Sequence, residues 1–155
     1  MKFAVSIDRD ANRQSILSNE SFRLIAPWTF VAGTTGAIGQ HTIFTVTGDC
    51  LVTLFGVCDT TLTSGGAATI SVGSAANVTA ILGATTATTI AANDVFLTTS
   101  TPADIGAIPS PFVISNGADI TMDILTATIT AGLINFYLLW RPLESTSDIT
   151  VTIPA

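Results

Sequence analysis

The 155-residue chain has the length of a single domain, is 48% apolar and has a mean hydropathy of +0.61, values that exclude intrinsic disorder. Only 10% of its residues are charged, against about 25% in typical globular domains. Acidic residues outnumber basic ones by 11 to 5, which argues against nucleic-acid binding. With one His and two Glu, the chain lacks the side chains that most acid–base and metal chemistry needs, so we expect no enzyme, no cofactor and no metal.

Charge is distributed unevenly along the chain. Residues 1–37 hold four basic and three acidic residues, whereas residues 38–155 hold eight acidic residues and one basic residue, Arg141. A surface with so few charges tends to adhere to other surfaces. We therefore expect a partner to cover much of this one.

The first 37 residues predict an arm and a hinge, because too few of them are apolar to form a core. Residues 11–20 are compatible with one or two helical turns, and the glycines of residues 33–39 indicate a connector. A short edge strand is predicted for residues 2–7 by an alternating apolar row of Phe3, Val5 and Ile7.

From residue 38 onward the sequence predicts a β-structured body, because Val, Ile, Thr and Phe suit a pleated, half-buried surface. Turn residues separate candidate strands at 40–47, 50–58, 67–73, 77–82, 85–90, 94–98, 111–115, 118–130 and 133–141. Short strands at this spacing are typical of a sandwich or a barrel. We predict an all-β, antiparallel, jelly-roll-like β-sandwich over residues 38–155, preceded by an extended arm over residues 1–37.

Three local signals predict specific connections between strands. Asn116-Gly117 lies between two apolar alternations, which is typical of a hairpin, and Ala131-Gly132 predicts the last hairpin. The apolar row that ends at Ile124 changes phase afterwards, so we expect a bulge or bend at residues 124–126.

Two predicted strands, residues 50–58 and 133–141, are apolar on both faces. An antiparallel sandwich strand normally exposes one face to water, and an uncovered apolar row promotes aggregation. The second cover is either the arm or a neighbouring subunit. We predict a homo-oligomer whose interface includes one row of the last strand, formed by Leu133, Asn135, Tyr137, Leu139 and Arg141.

Few residues suggest chemistry, and for each we favour a structural role. His41 has aspartates available for a catalytic triad, but no G-x-S-x-G nucleophile elbow exists, so a hydrogen-bonded structural histidine is expected. Asp119 and Asp123 are candidate Ca²⁺ ligands without a loop of clustered ligands.

Cys50 and Cys58 would lie about 26 Å apart on one strand, too far for a disulfide, so we expect buried, reduced thiols. An intersubunit disulfide and a metal site are the alternatives.

Neither a secretion signal nor a membrane span is predicted. The apolar run after Lys2 is short and ends at Asp8. The uncharged residues 60–93 are rich in Thr, Ser and Gly and hold no sustained apolar run.

Three segments resemble small virion proteins encoded near the capsid genes of tailed bacteriophages. They are GQHTIFTVTG at residues 39–48, DCLVTLFGVCDTTLTS at residues 49–64 and FYLLWRPL at residues 136–143, within a similarity over residues 37–155. The resemblance implies a capsid decoration (cement) protein with a β-sandwich or jelly-roll body, a trimeric assembly and an arm that clamps capsid subunits. It implies the major capsid protein as a partner and a location on the virion, assembled in the bacterial cytoplasm.

The resemblance does not cover the arm, but the arm's residues suit a strap lying across an acidic capsid surface. The expected anchoring residues are Lys2, Phe3, Val5, Ile7, Arg9, Arg13, Arg23 and Trp28.

Two other functions are compatible with the sequence. A phage tail, fibre or head-spike component that recognises the host would expose aromatic residues on loop tips, where Phe96 and Phe112 are the candidates. A carbohydrate-binding β-sandwich module would present Trp or Tyr together with Asp and Asn on one face.

Overall fold

The computed structural model describes residues 22–97 and 103–152, and within these ranges the chain is almost entirely β-structure. A single 3₁₀ turn, Ala87–Thr89, interrupts the strands. The strands are β1 Phe22–Thr29, β2 Gly39–Thr47, β3 Cys50–Ser64, β4 Thr69–Ser74, β5 Asn77–Thr86, β6 Val95–Phe96, β7 Phe112–Ile114, β8 Ile120–Leu125, β9 Ile129–Pro142 and β10 Asp148–Val151.

The strands form two five-stranded antiparallel sheets. Sheet 1 has the order β1-β9-β3-β6, with β7 also paired to β3, and sheet 2 has the order β10-β2-β8-β4-β5. The pairs are nested along the chain: β1 with β9, β2 with β8, β3 with β6 and β7, and β4 with β5. Such nesting results when one long hairpin is rolled into a double sheet. The predicted antiparallel, jelly-roll-like β-sandwich is therefore confirmed.

The core lies between the sheets and is formed by the inward-facing row of each strand. Sheet 1 contributes the fully buried β9 side chains Ile134, Phe136 and Leu138. Sheet 2 contributes the fully buried β8 side chains Ile120, Met122 and Ile124. Each side chain of this size stabilises the fold by about 1.5–3 kcal/mol when it leaves water.

The predicted boundary between arm and body at residue 37 is wrong, because β1 pairs with β9 over its whole length. Pro27 lies within β1, and it is tolerated there because an edge strand has one side on which no ladder hydrogen bond is needed. Residues 22–37 therefore belong to the body. The strand predicted at residues 2–7 and the helical turns predicted at 11–20 lie outside the described residues.

Both predicted hairpins are wrong, although one of the turns forms. Asn116 and Gly117 both adopt positive φ, as a tight turn requires. The strands on either side, however, belong to different sheets, since β7 pairs with β3 whereas β8 pairs with β2 and β4. Gly117 N–H instead donates to Gly48 O at 3.1 Å, joining this turn to the β2–β3 turn.

Ala131-Gly132 lies inside β9 and makes no turn. Gly132 has a φ of +127° and lies against Thr61 and Leu62 of β3. The predicted bend at residues 124–126 is confirmed, because β8 ends at Leu125 and Thr126 has a φ of +74°. This bend transfers the chain from sheet 2 to sheet 1.

We expect Gly132→Ala to lower the free energy of unfolding by about 2 kcal/mol or more. A Cβ at this position would lie 2.9 Å from Leu62 Cα and 3.0 Å from Thr61 O, and alanine is strained at this φ. Urea denaturation measures the change. The matched control is Gly65→Ala, where a Cβ meets nothing within 4 Å. Equal stability of the two variants would contradict the prediction.

Candidate interaction surface

The outward-facing row of sheet 1 is largely apolar on its two central strands, β9 and β3. Register places Leu51 opposite Arg141, Phe55 opposite Tyr137 and Val57 opposite Asn135, so these side chains share one face. β1 adds Ile25 beside Tyr137. We call this surface the outer apolar face and define it by Ile25, Leu51, Phe55, Val57, Val113, Leu133, Tyr137 and Leu139.

The centre of the outer apolar face is an aromatic pair. The rings of Phe55 and Tyr137 stack with a centroid distance of 5.4 Å and an interplanar angle of 9°. Both side chains remain half-buried rather than buried. The stack therefore forms a flat, rigid centre that offers ring edges and one ring face of each residue to the outside.

The face becomes more exposed towards its margins. Ile25 on the edge strand β1 is 40% exposed, and Val113 on β7 is 61% exposed. Val113 lies beside Leu51, and Val95 of β6 lies beside Val57, so the apolar surface continues onto both short strands. Apolar side chains thus extend across the full width of sheet 1.

The outward-facing row of sheet 2 has a different composition. Along β8 it consists of Thr121, Asp123 and Leu125, and Asp123 lies between Gln40 of β2 and Ser71 of β4. Ser71, Thr121 and Asp123 are all less than 9% exposed, whereas Leu125 at the end of the strand is 47% exposed. The two outer faces of the sandwich are therefore polar on one side and apolar on the other.

Charge on the outer apolar face is confined to one end. Arg23 lies opposite Leu139, and Arg141 lies two residues further along β9. No acidic residue occurs in 23–29, 51–57 or 133–141, the segments of β1, β3 and β9 that form the face. Asp59, which is exposed, lies beyond Val57 at the opposite end of the strands.

The five residues predicted for an oligomer interface, Leu133, Asn135, Tyr137, Leu139 and Arg141, lie together on this face and are all half-buried. Their assembly into an interface stays a prediction. Two residues that the sequence analysis did not assign to the surface, Ile25 and Val113, belong to it. Ile25 alternates with Ala26 and Trp28, which are buried, and this alternation in the sequence could have indicated a strand with Ile25 on its outer face. Pro27 made a strand at this position look unfavourable.

Of the eight predicted anchoring residues, the structure describes two, Arg23 and Trp28. Lys2, Phe3, Val5, Ile7, Arg9 and Arg13 lie outside the described residues. Arg23 is exposed on β1. The prediction that Trp28 is an anchor is wrong, because its side chain lies in the core and is only 2% exposed. Its Nε1–H donates to Thr35 O at 3.1 Å.

The candidate catalytic and metal-binding residues have local structural partners. His41 Nε2 lies 2.8 Å from Ala37 O, and its ring packs edge-on against Trp28, which confirms the hydrogen-bonded histidine. Asp119 Oδ1 accepts the Val46 N–H at 2.9 Å, and Asp49 Oδ1 accepts the Asn116 N–H at 2.9 Å. Within residues 22–97 and 103–152, no group of three or more His, Cys, Asp or Glu side chains converges on a metal-sized site.

Cys50 and Cys58 are buried and free, which confirms the expectation of reduced thiols. Burial raises the pKa of Cys58 to about 11, and the Asp94 carboxylate adds to that rise. Burial also raises the pKa of Cys50. Both thiols point into the core, so neither belongs to the outer apolar face.

No helix in the described part of the chain has the length and hydropathy needed to cross a bilayer. No protein-family model matches the chain, and searches of curated proteins and of solved structures also find no match.

We expect wild-type stability to fall as pH rises from about 9 towards 11. The thiol of the unfolded chain ionises near its ordinary pKa of 9.0, whereas folded Cys58 stays protonated up to about 11, so alkali favours unfolding. Urea denaturation across this range measures the loss, and Cys58→Ala should lose less stability over the same interval. Identical pH profiles for the two proteins would contradict the assignment.

Proposed function

We propose that the chain is a structural, non-enzymatic protein of a tailed-phage particle, of the capsid decoration type, which binds the head surface and stabilises it. The observation that carries this proposal is the outer apolar face on a body with few charges. A surface of this kind on a soluble domain marks a site of protein association. The resemblance of residues 37–155 to phage virion proteins supports the same function.

The fold is compatible with this role but does not establish it. Jelly-roll sandwiches occur in viral capsid domains and also in lectins, and one fold serves many functions. A sugar-binding site of the expected kind needs open aromatic faces near Asp and Asn. In this protein Phe55 and Tyr137 each use one ring face on the other, and no Asp lies between residues 51 and 57 or 133 and 141. The decoration function is therefore the better supported of the two.

The segment before β1 is the proposed capsid anchor. Once the body begins at residue 22, residues 1–21 hold three basic and three acidic residues, so net charge does not attract this segment to an acidic surface. The feature that could still bind the capsid is the alternating apolar row of Phe3, Val5 and Ile7. Such a row suits addition as a strand to the edge of a capsid-protein sheet.

We expect deletion of residues 1–20 to abolish binding to phage heads while the β-body stays folded, because β1 starts at Phe22. The assay is co-sedimentation of purified protein with heads from the encoding phage that lack this chain. Circular dichroism checks the fold of the truncated protein. Absence of binding by the full-length chain would overturn the decoration function, and full binding by the truncated chain would overturn the anchor.

Within the anchor, we expect the triple change Phe3→Ser, Val5→Ser and Ile7→Ser to weaken head binding at least about tenfold, because it removes the apolar row that a sheet edge would bury. The matched control changes the opposite side of the same segment, Ala4→Ser with Ser6→Ala. The same co-sedimentation assay compares them. Equal losses in both proteins would show that the alternation does not direct binding.

A further inference from the structure

We propose that two copies of this chain pack face to face through the outer apolar face, with their strands antiparallel about a two-fold axis near the Phe55–Tyr137 stack. The proposal goes beyond capsid decoration, because it concerns the isolated chain and requires no capsid. Its failure would leave the decoration function standing.

The area of the outer apolar face reaches the lower limit for a specific pair. It spans four strands at about 4.8 Å spacing and eight residue steps of about 3.3 Å, hence about 500 Å² per copy and about 1,000 Å² per pair. Specific protein interfaces begin at about 1,000 Å² in total. The face is therefore large enough for a second copy and too flat to enclose a small ligand.

The composition of the face favours another copy of itself over a charged partner. The chain has 11 acidic residues, but none lies in the segments of β1, β3 and β9 that form the face. Two copies can therefore approach without repulsion between carboxylates at the contact. Two flat apolar sheets pack about 10 Å apart with interleaved side chains, as the two sheets within each sandwich already do.

The positions of the charges determine the orientation. Arg23 and Arg141 lie at one end of the face, so parallel packing would bring four guanidinium groups together. With the axis at the level of Tyr137, antiparallel packing separates the two Arg141 positions by about 26 Å, eight steps along the strands, and the two Arg23 positions by about 13 Å, four steps. It also brings the arginine end of each copy over the end of the other copy where Asp59 lies. Such a contact uses the same patch twice and closes with two copies.

This geometry differs from the trimer that the resemblance implies. A three-fold assembly needs a heterologous contact, in which two different patches meet. The outer apolar face is one patch that is complementary to itself. Light scattering therefore distinguishes the two assemblies directly, by mass.

The main test uses two lysine substitutions of similar exposure on opposite sides of the sandwich. Ile25 on sheet 1 is 40% exposed and Leu125 on sheet 2 is 47% exposed, so both positions accept lysine without disturbing the core. We expect wild type and Leu125→Lys to be dimers by light scattering between about 1 and 100 μM, and Ile25→Lys to raise the dimer Kd at least about tenfold. Circular dichroism confirms that all three are folded.

A crosslinking experiment tests the orientation. Tyr137→Cys lies near the proposed axis, so a short bismaleimide should join two copies. Leu51→Cys lies opposite Arg141 at the end of the face, about 26 Å from its equivalent along the strands, and should not crosslink. Cys50 and Cys58 are buried and do not interfere. If Tyr137→Cys is monomeric, Asn135→Cys, which is half-buried two residues from Tyr137 on the same row, replaces it.

Each outcome decides the proposal. A wild-type monomer throughout the concentration range, or a wild-type trimer, overturns the two-fold pair. A dimer weakened equally by Ile25→Lys and Leu125→Lys shows that another surface is used. Crosslinking of Leu51→Cys in place of the central cysteine overturns the antiparallel orientation.

Discussion

The pairing of β3 with β9 at the centre of sheet 1 is the interaction on which the rest of the structure depends. Both strands are apolar on both faces, so alternation alone does not define which row faces inward. Side-chain size does, because Gly56 lies opposite Phe136, and a Cβ there would approach Ile134 Cγ2 to 2.9 Å and Phe96 Cβ to 3.3 Å. Ile134 and Phe96 therefore occupy the space that Gly56 leaves on the inner face, and the second apolar row, with Phe55 and Tyr137, faces outward.

The difference between the two sheets follows from that arrangement. Sheet 2 alternates apolar with polar residues along β8, although Thr121 and Asp123 of its outward row are themselves less than 9% exposed. Sheet 1 has no polar row to present, and Ile25 and Val113 extend its apolar surface across neighbouring strands. The two sheets therefore differ in the composition of their outward rows, and the exposed apolar side chains that cross several strands lie on sheet 1.

Both proposals start from the outer apolar face as a site of protein association, but they assign the two contacts to separate parts of the molecule. Self-association uses the outer apolar face and the distribution of charge around it, whereas capsid anchoring uses the residues that precede Phe22. β1 connects them, since it forms the edge of sheet 1 and receives the chain from the anchor. A decoration protein built this way joins copies through its body while its first residues hold the particle.

The sequence by itself determined the class of fold, most of the strand-forming segments between residues 40 and 141, the bend at Thr126 and the row of half-buried residues along β9, because these depend on local periodicity. It did not reveal β10, and the strand predicted at residues 85–90 is in part the 3₁₀ turn Ala87–Thr89. It did not reveal β1, since Pro27 is unfavourable in a strand unless that strand lies at an edge. Nor did it reveal that the Asn116-Gly117 turn joins different sheets or that Gly132 lies within a strand. Only the tertiary structure decided these points, because the choice of pairing partner depends on packing between residues distant in the chain.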